Sequence, residues 1–201
     1  MTDIRVNYSI HSGFEGVACE GLCHRKTLPY LSLVQALDGE YEIQLNDGDI
    51  QRTGTGGFFI APAFVRQTIV HHVGQQSGTM TARWLFLDVV LNRKEHLENR
   101  YVFPTVLTPQ EAPELCEVVD RYFSAGDDFE ATCCLYDIVR LLVRSGKPIG
   151  APQNEFERTV TAYLSEHYAE KLGVPELAKA VCMSESNFYA VFKKHFGLSP
   201  T

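Results

Sequence analysis

Two adjacent histidines, His71 and His72, are the first candidates for metal chemistry in this sequence. Metalloenzymes built on small β-barrels need two histidines separated by one intervening strand residue, so that both imidazoles point at one metal. They also need a carboxylate nearby. Because adjacent strand residues point to opposite faces, at most one of these histidines can enter a barrel. The segment from His72 to Thr81 also contains no Asp or Glu. We therefore expect no metal site and no cofactor.

The cysteines are the second group of possible ligands. The six are Cys19, Cys23, Cys116, Cys133, Cys134 and Cys182. They form no regular framework, and a start that carries Asp3 and Arg5 is unlike a secretory signal. Cys19, Cys23 and His24 could chelate a metal, but a pair of reduced thiols is the favoured interpretation. The sequence thus predicts a cytoplasmic protein with free thiols.

Other catalytic motifs are missing from the sequence. The glycines at 54, 56 and 57 lack the lysine and helix that complete a phosphate-binding loop, so a β-turn is the better interpretation. There is no nucleophile motif and no pair of catalytic carboxylates. No apolar run approaches the roughly 20 residues that span a bilayer. We expect neither an enzyme nor a membrane protein.

The elements that would position a site change in character along the chain. Up to about Val90, short β-rich runs alternate with turns, which is typical of a sandwich or barrel. Predicted strands are Tyr30 to Leu37, Glu40 to Leu45, Arg66 to Val73 and Thr79 to Val90, with a turn at 46–48 in which Gly48 can take a positive φ.

From Thr108 to Arg144 the apolar residues follow a helical period. One stripe comprises Leu115, Val118, Val119 and Tyr122, and a second comprises Leu135, Ile138, Val139 and Leu142. A short turn between them predicts an antiparallel pair of helices. The pair is expected to hold a homodimer; the alternative is that both helices cover one face of the barrel.

A segment rich in Gly and Pro, residues 146–153, is predicted to be a linker. Three short helices follow, with Gly173 and Ser184 as N-caps of the second and third. Such spacing indicates either a helix-turn-helix or a plain three-helix bundle.

The segment after the linker resembles the first helix-turn-helix of AraC-type transcription regulators. The matching residues are Ala162-Tyr163-Leu164, Leu177-Ala178, Met183-Ser184, Phe188, Phe192-Lys193 and Gly197-Leu198-Ser199-Pro200. The resemblance implies an α+β fold: a cupin-like effector-binding β-barrel (1–107), a helical dimerisation segment (108–145), the linker (146–153) and the helix-turn-helix (154–201). It also implies double-stranded operator DNA and a small organic effector, a sugar or an anion, as partners.

Three departures from the family pattern stand out. A second helix-turn-helix usually follows the Ser-Pro signature, whereas this sequence stops at Thr201. Cys182 occupies a turn position usually held by glycine, and Ala190 a recognition-helix position usually held by arginine. We therefore expect one helix-turn-helix here, with weak DNA binding.

Residues of the third helix are the candidates for contact with DNA. Lys193 and Lys194 could bind phosphates or merely complement the helix dipole. By family position Ser186 and Tyr189 would face base edges, and Ser184 and Asn187 begin the same helix. The whole chain has a net charge of −7, which argues against a protein that grips nucleic acid with its entire surface.

Candidates for effector binding lie on the predicted barrel strands. Arg66 would suit an anion, and Trp84 could stack on a ring, although each is also compatible with ordinary surface or core positions. His24, Tyr30 and His71 are further candidates. The sequence thus favours a ligand-responsive DNA-binding regulator; the alternatives are a cupin-type metalloenzyme and a dimerisation module without DNA binding.

Overall fold

The computed structural model describes residues 3–93, 95–149, 155–167, 172–196 and 199–200. The chain divides into two compact units, residues 1–149 and 150–201. Among the described residues, no helix is both long and apolar enough to cross a membrane.

The first unit is built mainly from antiparallel strands. In chain order these are β1 (Ile4–Val17), β2 (Leu22–Thr27), β3 (Leu31–Asp38), β4 (Glu40–Leu45), β5 (Gln51–Arg52), β6 (Phe58–Ala61), β7 (Arg66–His72), β8 (Met80–Leu91), β9 (Glu95–His96), β10 (Tyr101–Val102), β11 (Val106–Leu107) and β12 (Lys147–Pro148). The larger sheet has the order β1-β8-β3-β6-β11, with β9 also paired to β8, and the smaller sheet has the order β2-β7-β4-β5.

The inner faces of the two sheets share one apolar core. Val34, Phe59 and Ala82 from the larger sheet lie in the same buried cluster as Ile43 and Ile69 from the smaller sheet. Alternation along the strands produces this arrangement, because every second side chain points to the same face. The predicted turn at 46–48 forms, but its positive φ, 51°, falls on Asn46 and not on Gly48.

Two helices, α1 (Pro113–Ser124) and α2 (Asp128–Ser145), cover the outer face of the larger sheet. Helix α2 begins as its sequence predicts: the carboxylate of Asp127 accepts a hydrogen bond from the backbone N–H of Glu130 at 2.8 Å. The two predicted apolar stripes pack against the sheet in a single core. That core includes Leu31, Leu33, Leu85, Leu87 and Val89 from the sheet, and Leu115, Val118, Val119, Leu135, Ile138, Val139 and Leu142 from the helices. The two stripes therefore cover one face of the barrel, and the homodimer expected from this helical pair stays a prediction.

The first half of the predicted flexible linker is ordered. Lys147 and Pro148 pair with Val102 and Tyr101 as strand β12, and the N–H of Ile149 donates to the carbonyl of Arg100 at 2.8 Å. Backbone hydrogen bonds to β10 overcome the local preference of Gly and Pro for irregular structure. Residues 150–153 lie outside the described part of the chain.

The second unit contains three helices, α3 (Glu155–Glu166), α4 (Val174–Ala180) and α5 (Glu185–Phe196). Its core is formed by Val160, Val174, Leu177, Ala178 and Phe188. Asn154 and Gly197, whose residue types suit the start of the first of these helices and the end of the third, lie outside the described residues. Gly173 begins α4, and its N–H donates to the carboxylate of Glu176 at 2.9 Å.

Candidate ligand cavity and nucleic-acid interface

A cavity of about 220 Å³ opens between the inner faces of the two sheets. Its walls come from seven strands, β1 to β4 and β6 to β8. The lining side chains are Glu15, His24, Lys26, Val34, Tyr41, Phe59, Ile69, His71, Trp84 and Phe86. A mainly apolar space with a few convergent polar groups is typical of a small-molecule site.

Glu15, Tyr41 and His71 form a hydrogen-bonded group in the cavity wall. The hydroxyl of Tyr41 donates to Oε1 of Glu15, and Nε2 of His71 lies 3.4 Å from the same oxygen. Nδ1 of His71 lies 3.0 Å from the carbonyl oxygen of Leu22, so each ring nitrogen faces an acceptor. Tyr41 and His71 are each only 1% exposed. Tyr41 and His71 are therefore fixed in the barrel interior, whereas Glu15 is partly exposed.

This hydrogen bonding explains the ionisation of the group. The contact with His71, assisted by Tyr41, lowers the pKa of Glu15 to about 2, against the opposing effect of burial. Burial and the neighbouring Glu15 together raise the pKa of the Tyr41 hydroxyl. At neutral pH the cavity wall thus carries an ionised carboxylate and a neutral phenol.

Two aromatic rings form another wall. Trp84 and Phe86 lie two residues apart on β8, hence on one face, and their rings stack with centroids 4.7 Å apart and an interplanar angle of 23°. Gly13 pairs with Trp84 across β1 and β8, and a Cβ on Gly13 would lie 2.7 Å from the indole. The indole can therefore occupy its position only because residue 13 lacks a side chain.

The structure brings together three of the five residues predicted to bind an effector, namely His24, His71 and Trp84. Arg66 is a correction. The inner face of β7 carries Gln67, Ile69 and His71, so the alternation leaves Arg66 outside, where it is exposed and paired with Asp47. Tyr30 does not line the cavity either; its ring stacks on Phe86 at 6.4 Å.

Sequence reasoning missed Glu15, Lys26 and Tyr41 as wall residues. Strand alternation was a usable signal for two of them, because it places Tyr41 on the buried face of β4 with Ile43 and Lys26 on one face of β2 with His24. Glu15 had no such signal, because only the pairing of β1 with β8 turns its side chain towards the cavity.

The two adjacent histidines diverge as strand geometry requires. His71 is buried in the cavity wall, whereas Nδ1 of His72 contacts the carboxylate of Glu20 at 2.7 Å on the other side of β7. Within the part of the chain that the structure describes, no group of three or more His, Cys, Asp or Glu side chains is placed to hold a metal ion.

The second unit presents the N-terminal part and one side of α5 to solvent. Phe188 is fully buried and anchors the helix on the core. The predicted DNA-contacting side chains are exposed: Ser184, Ser186, Asn187, Tyr189, Lys193 and Lys194. Ala190 is exposed on the same helix. Ser184 caps the helix, with its hydroxyl oxygen 3.4 Å from the N–H of Asn187.

The turn between α4 and α5 has the tight geometry of a helix-turn-helix. Cys182 has a φ of 54°, and the N–H of Met183 donates to the carbonyl of Ala178 at 2.9 Å. A left-handed cysteine costs about 1 kcal/mol relative to glycine. Cys182 therefore adopts the left-handed conformation that glycine would favour at this position.

Comparison with known proteins assigns this segment. Residues 164–201 match the family described as bacterial regulatory helix-turn-helix proteins, AraC family. The segment is an AraC-family helix-turn-helix. Helices α4 and α5 lie within the matched range and form half of it, so α5 corresponds to the recognition helix of this family.

One solved structure is similar over nearly the whole chain. The AraC-like transcriptional activator CuxR matches with a TM-score of 0.51 and 11% identity, over 96% of this chain and 80% of that one. The predicted fold class is thereby confirmed: α+β, with a cupin-like barrel, an antiparallel helical pair and a C-terminal AraC-family helix-turn-helix.

Other structures match only part of the chain. The EutQ protein of Clostridium difficile has a TM-score of 0.32 and 12% identity, covering 42% of this chain and 66% of its own length. KdgF from Halomonas sp. has a TM-score of 0.31 and 15% identity, covering 41% of this chain and 79% of its own. A search of curated proteins finds no significant sequence match.

Proposed function

We propose that this protein is a ligand-responsive, sequence-specific transcription regulator of the AraC type. The observation that carries the proposal is the AraC-family helix-turn-helix, in which α5 exposes Ser186, Asn187 and Tyr189 while Phe188 fixes the helix on its core. Polar side chains at the start of a recognition helix can donate to and accept from base edges in the major groove.

Regulation by a ligand is supported by the cavity in the barrel. It contains polar groups on an otherwise apolar wall, which a core built only for stability would not need. His24, His71 and Trp84 are the predicted effector contacts that line it. We propose that a small organic effector binds there and acts on DNA binding in the cytoplasm.

A homodimer is supported by one exposed face of α2. Phe129 is 81% exposed and Tyr136 45%, and Cys133 lies between them at helical spacing. Since the inner face of α2 already packs on the barrel, this second face is the surface on which we propose that another copy docks. Sedimentation of the double variant Phe129→Ser, Tyr136→Ser as a monomer, beside a dimeric parent, is the expected result; a monomeric parent at tens of micromolar would reject the dimer.

DNA recognition is tested by selecting binders from a random-sequence duplex library with the 201-residue chain. We expect a short enriched motif that changes when Asn187 or Tyr189 is replaced by Ala. Binding by the parent should be weak, because Ala190 supplies no charge to a phosphate or guanine. Ala190→Arg should tighten binding and steepen the dependence of log K on log salt by about 0.9.

Lysine-to-alanine variants distinguish docking of α5 on DNA from non-specific electrostatic attraction of the whole chain to DNA. Lys193→Ala and Lys194→Ala should each reduce the salt slope by about 0.9. Lys147→Ala removes the same charge from the first unit and should leave the slope unchanged. Selection of no motif, or equal effects of all three lysine variants, would reject the proposed interface.

A further inference from the structure

Lys26 brings a positive charge to the wall of the cavity. Its side chain is half-buried, and Nζ lies 5.6 Å from the centroid of the Phe86 ring. Within the described part of the chain, Lys26 forms no ion pair with a carboxylate. Burial lowers the pKa of Lys26, although the charge of Glu15 opposes this effect. A partly desolvated ammonium that no described carboxylate pairs with at contact distance is unfavourable, and an anionic ligand in direct contact would lower that cost.

Glu15 supplies an acceptor on the same wall. Oε1 is engaged by Tyr41 and His71, whereas no described residue hydrogen-bonds to Oε2. An ionised carboxylate has room for several donors around its two oxygens. Oε2 can therefore accept a hydrogen bond from a hydroxyl group of a ligand.

The remaining walls and the volume limit what can enter. The stacked rings of Trp84 and Phe86 offer an apolar surface to a flat or compact carbon skeleton. The cavity has a volume of about 220 Å³. This is smaller than the pockets of about 300 Å³ or more that hold drug-sized molecules.

We propose that the cavity binds a small hydroxylated carboxylic acid. Its carboxylate faces Lys26, a hydroxyl donates to Oε2 of Glu15, and its carbon skeleton packs on Trp84 and Phe86. A neutral sugar would leave Lys26 without an ion-pair partner at contact distance. The regulatory meaning of this site rests on the proposed function, but the chemistry of the site does not.

Trp84 provides the readout, because it is the only tryptophan of the chain. The probes are glycerate and 4-hydroxybenzoate, each compared with its neutral amide at the same concentrations. We expect at least one acid to change the fluorescence of Trp84 and to bind at least tenfold more tightly than its amide. For 4-hydroxybenzoate, Glu15→Gln should weaken binding more than it weakens binding of benzoate, which lacks the hydroxyl.

Matched variants assign the preference to Lys26. Lys26→Met should abolish the difference between acid and amide, whereas Arg25→Met, on the outward side of β2, should retain it. If thermal melting shows that Lys26→Met does not fold, Lys26→Arg keeps the charge and should retain the preference for the acid, while Lys26→Gln should lose it.

Three results would overturn the proposal: neither acid binds, the amides bind as tightly as the acids, or the uncharged variants at position 26 keep the preference. Anisotropy of labelled DNA, measured on the same samples, reports separately on the regulator. A neutral compound that binds and alters DNA affinity would reject the carboxylic acid as the ligand class but support the proposed regulatory function. An acid that binds to a protein without DNA affinity would support the ligand class but reject the regulatory function.

Discussion

The two faces of the larger sheet differ in how completely they are filled. On the outer face, Leu85, Leu87 and Val89 of β8 are buried under α1 and α2 in a continuous apolar core. On the inner face of the same strand, Trp84 and Phe86 border a cavity that also holds Glu15 and Lys26. Adjacent residues of one strand thus serve a closed core and an open site.

This difference separates stability from recognition. Apolar burial contributes about 25 cal/mol per Å², so a filled face adds stability. Polar groups that converge on a cavity are costly to bury, and they contribute no stabilising free energy comparable to that of apolar burial unless a ligand binds them. Substitutions on the outer face should therefore lower stability, whereas apolar substitutions inside should raise it at the expense of binding.

The largest effect is expected for Leu87→Ala on the outer face. Leu87 is 1% exposed, so loss of its side chain should cost about 2–5 kcal/mol of unfolding free energy. Phe86→Ala, the adjacent substitution on the half-buried inner face, should cost less although it removes more atoms. Urea unfolding of both variants tests the comparison; an equal or larger loss for Phe86→Ala would show that the inner face is as tightly packed.

Arg83→Met should cost about 2 kcal/mol. Arg83 is 6% exposed; its Nε donates to the side-chain oxygen of Gln35 at 2.8 Å, and its guanidinium also pairs with Asp120 of α1. Without the arginine, the buried Gln35 oxygen loses its donor. Asp120→Asn serves as the milder control, since Asp120 is largely exposed. A thermal shift no larger for Arg83→Met than for Asp120→Asn would contradict a structural role of this buried bond.

Glu15→Gln should remove a pH-dependent contribution of roughly 1–2 kcal/mol, reduced from the full linkage value because Glu15 is partly exposed. The pKa of Glu15 lies at about 2 in the folded chain, below its ordinary 4.5. Its stabilising effect is therefore fully present above about pH 4.5 and is lost as the pH falls towards 2. Stability measured against pH should fall less steeply in this range for Glu15→Gln than for the parent, with Glu114→Gln, an exposed change, behaving like the parent.

The smallest effect, and one of opposite sign, is expected for Gln67→Met. Gln67 faces inward on β7, is fully buried, and neither of its amide atoms has a hydrogen-bond partner within the structure. Methionine of similar length removes that cost, so the unfolding free energy should rise by about 1 kcal/mol. A loss of stability instead would mean that the amide is satisfied in solution and that the inner face is not under-filled here.

Much of the fold could be predicted from local sequence. The stripes Leu115 to Tyr122 and Leu135 to Leu142 identified two helices, and Asp127 marked where the second begins. The three C-terminal helices were recognisable from spacing, and the resemblance to AraC-type regulators favoured a helix-turn-helix, even with cysteine at the turn. The strand alternation also separated His71 from His72. These features depend on the period of a helix or strand and on caps, which neighbouring residues determine.

The cavity could be predicted only in part. His24, His71 and Trp84 line it, whereas Arg66 and Tyr30, the other candidates for effector binding, do not. The face on which a strand begins depends on its partner strands, and one residue of register moves a side chain from inside to outside.

The sequence by itself therefore determined the helical pair, through short-range periodicity, and the α+β class and the AraC-type helix-turn-helix, through the resemblance of its C-terminal residues to that family. Only the tertiary structure decided that Glu15, Lys26 and Tyr41 meet Trp84 around one cavity, and that the helical stripes cover the barrel. Residues 15, 26, 41 and 84 lie on four strands whose pairing is non-local. Their proximity is a property of sheet register and sheet packing, which no local pattern along the chain specifies.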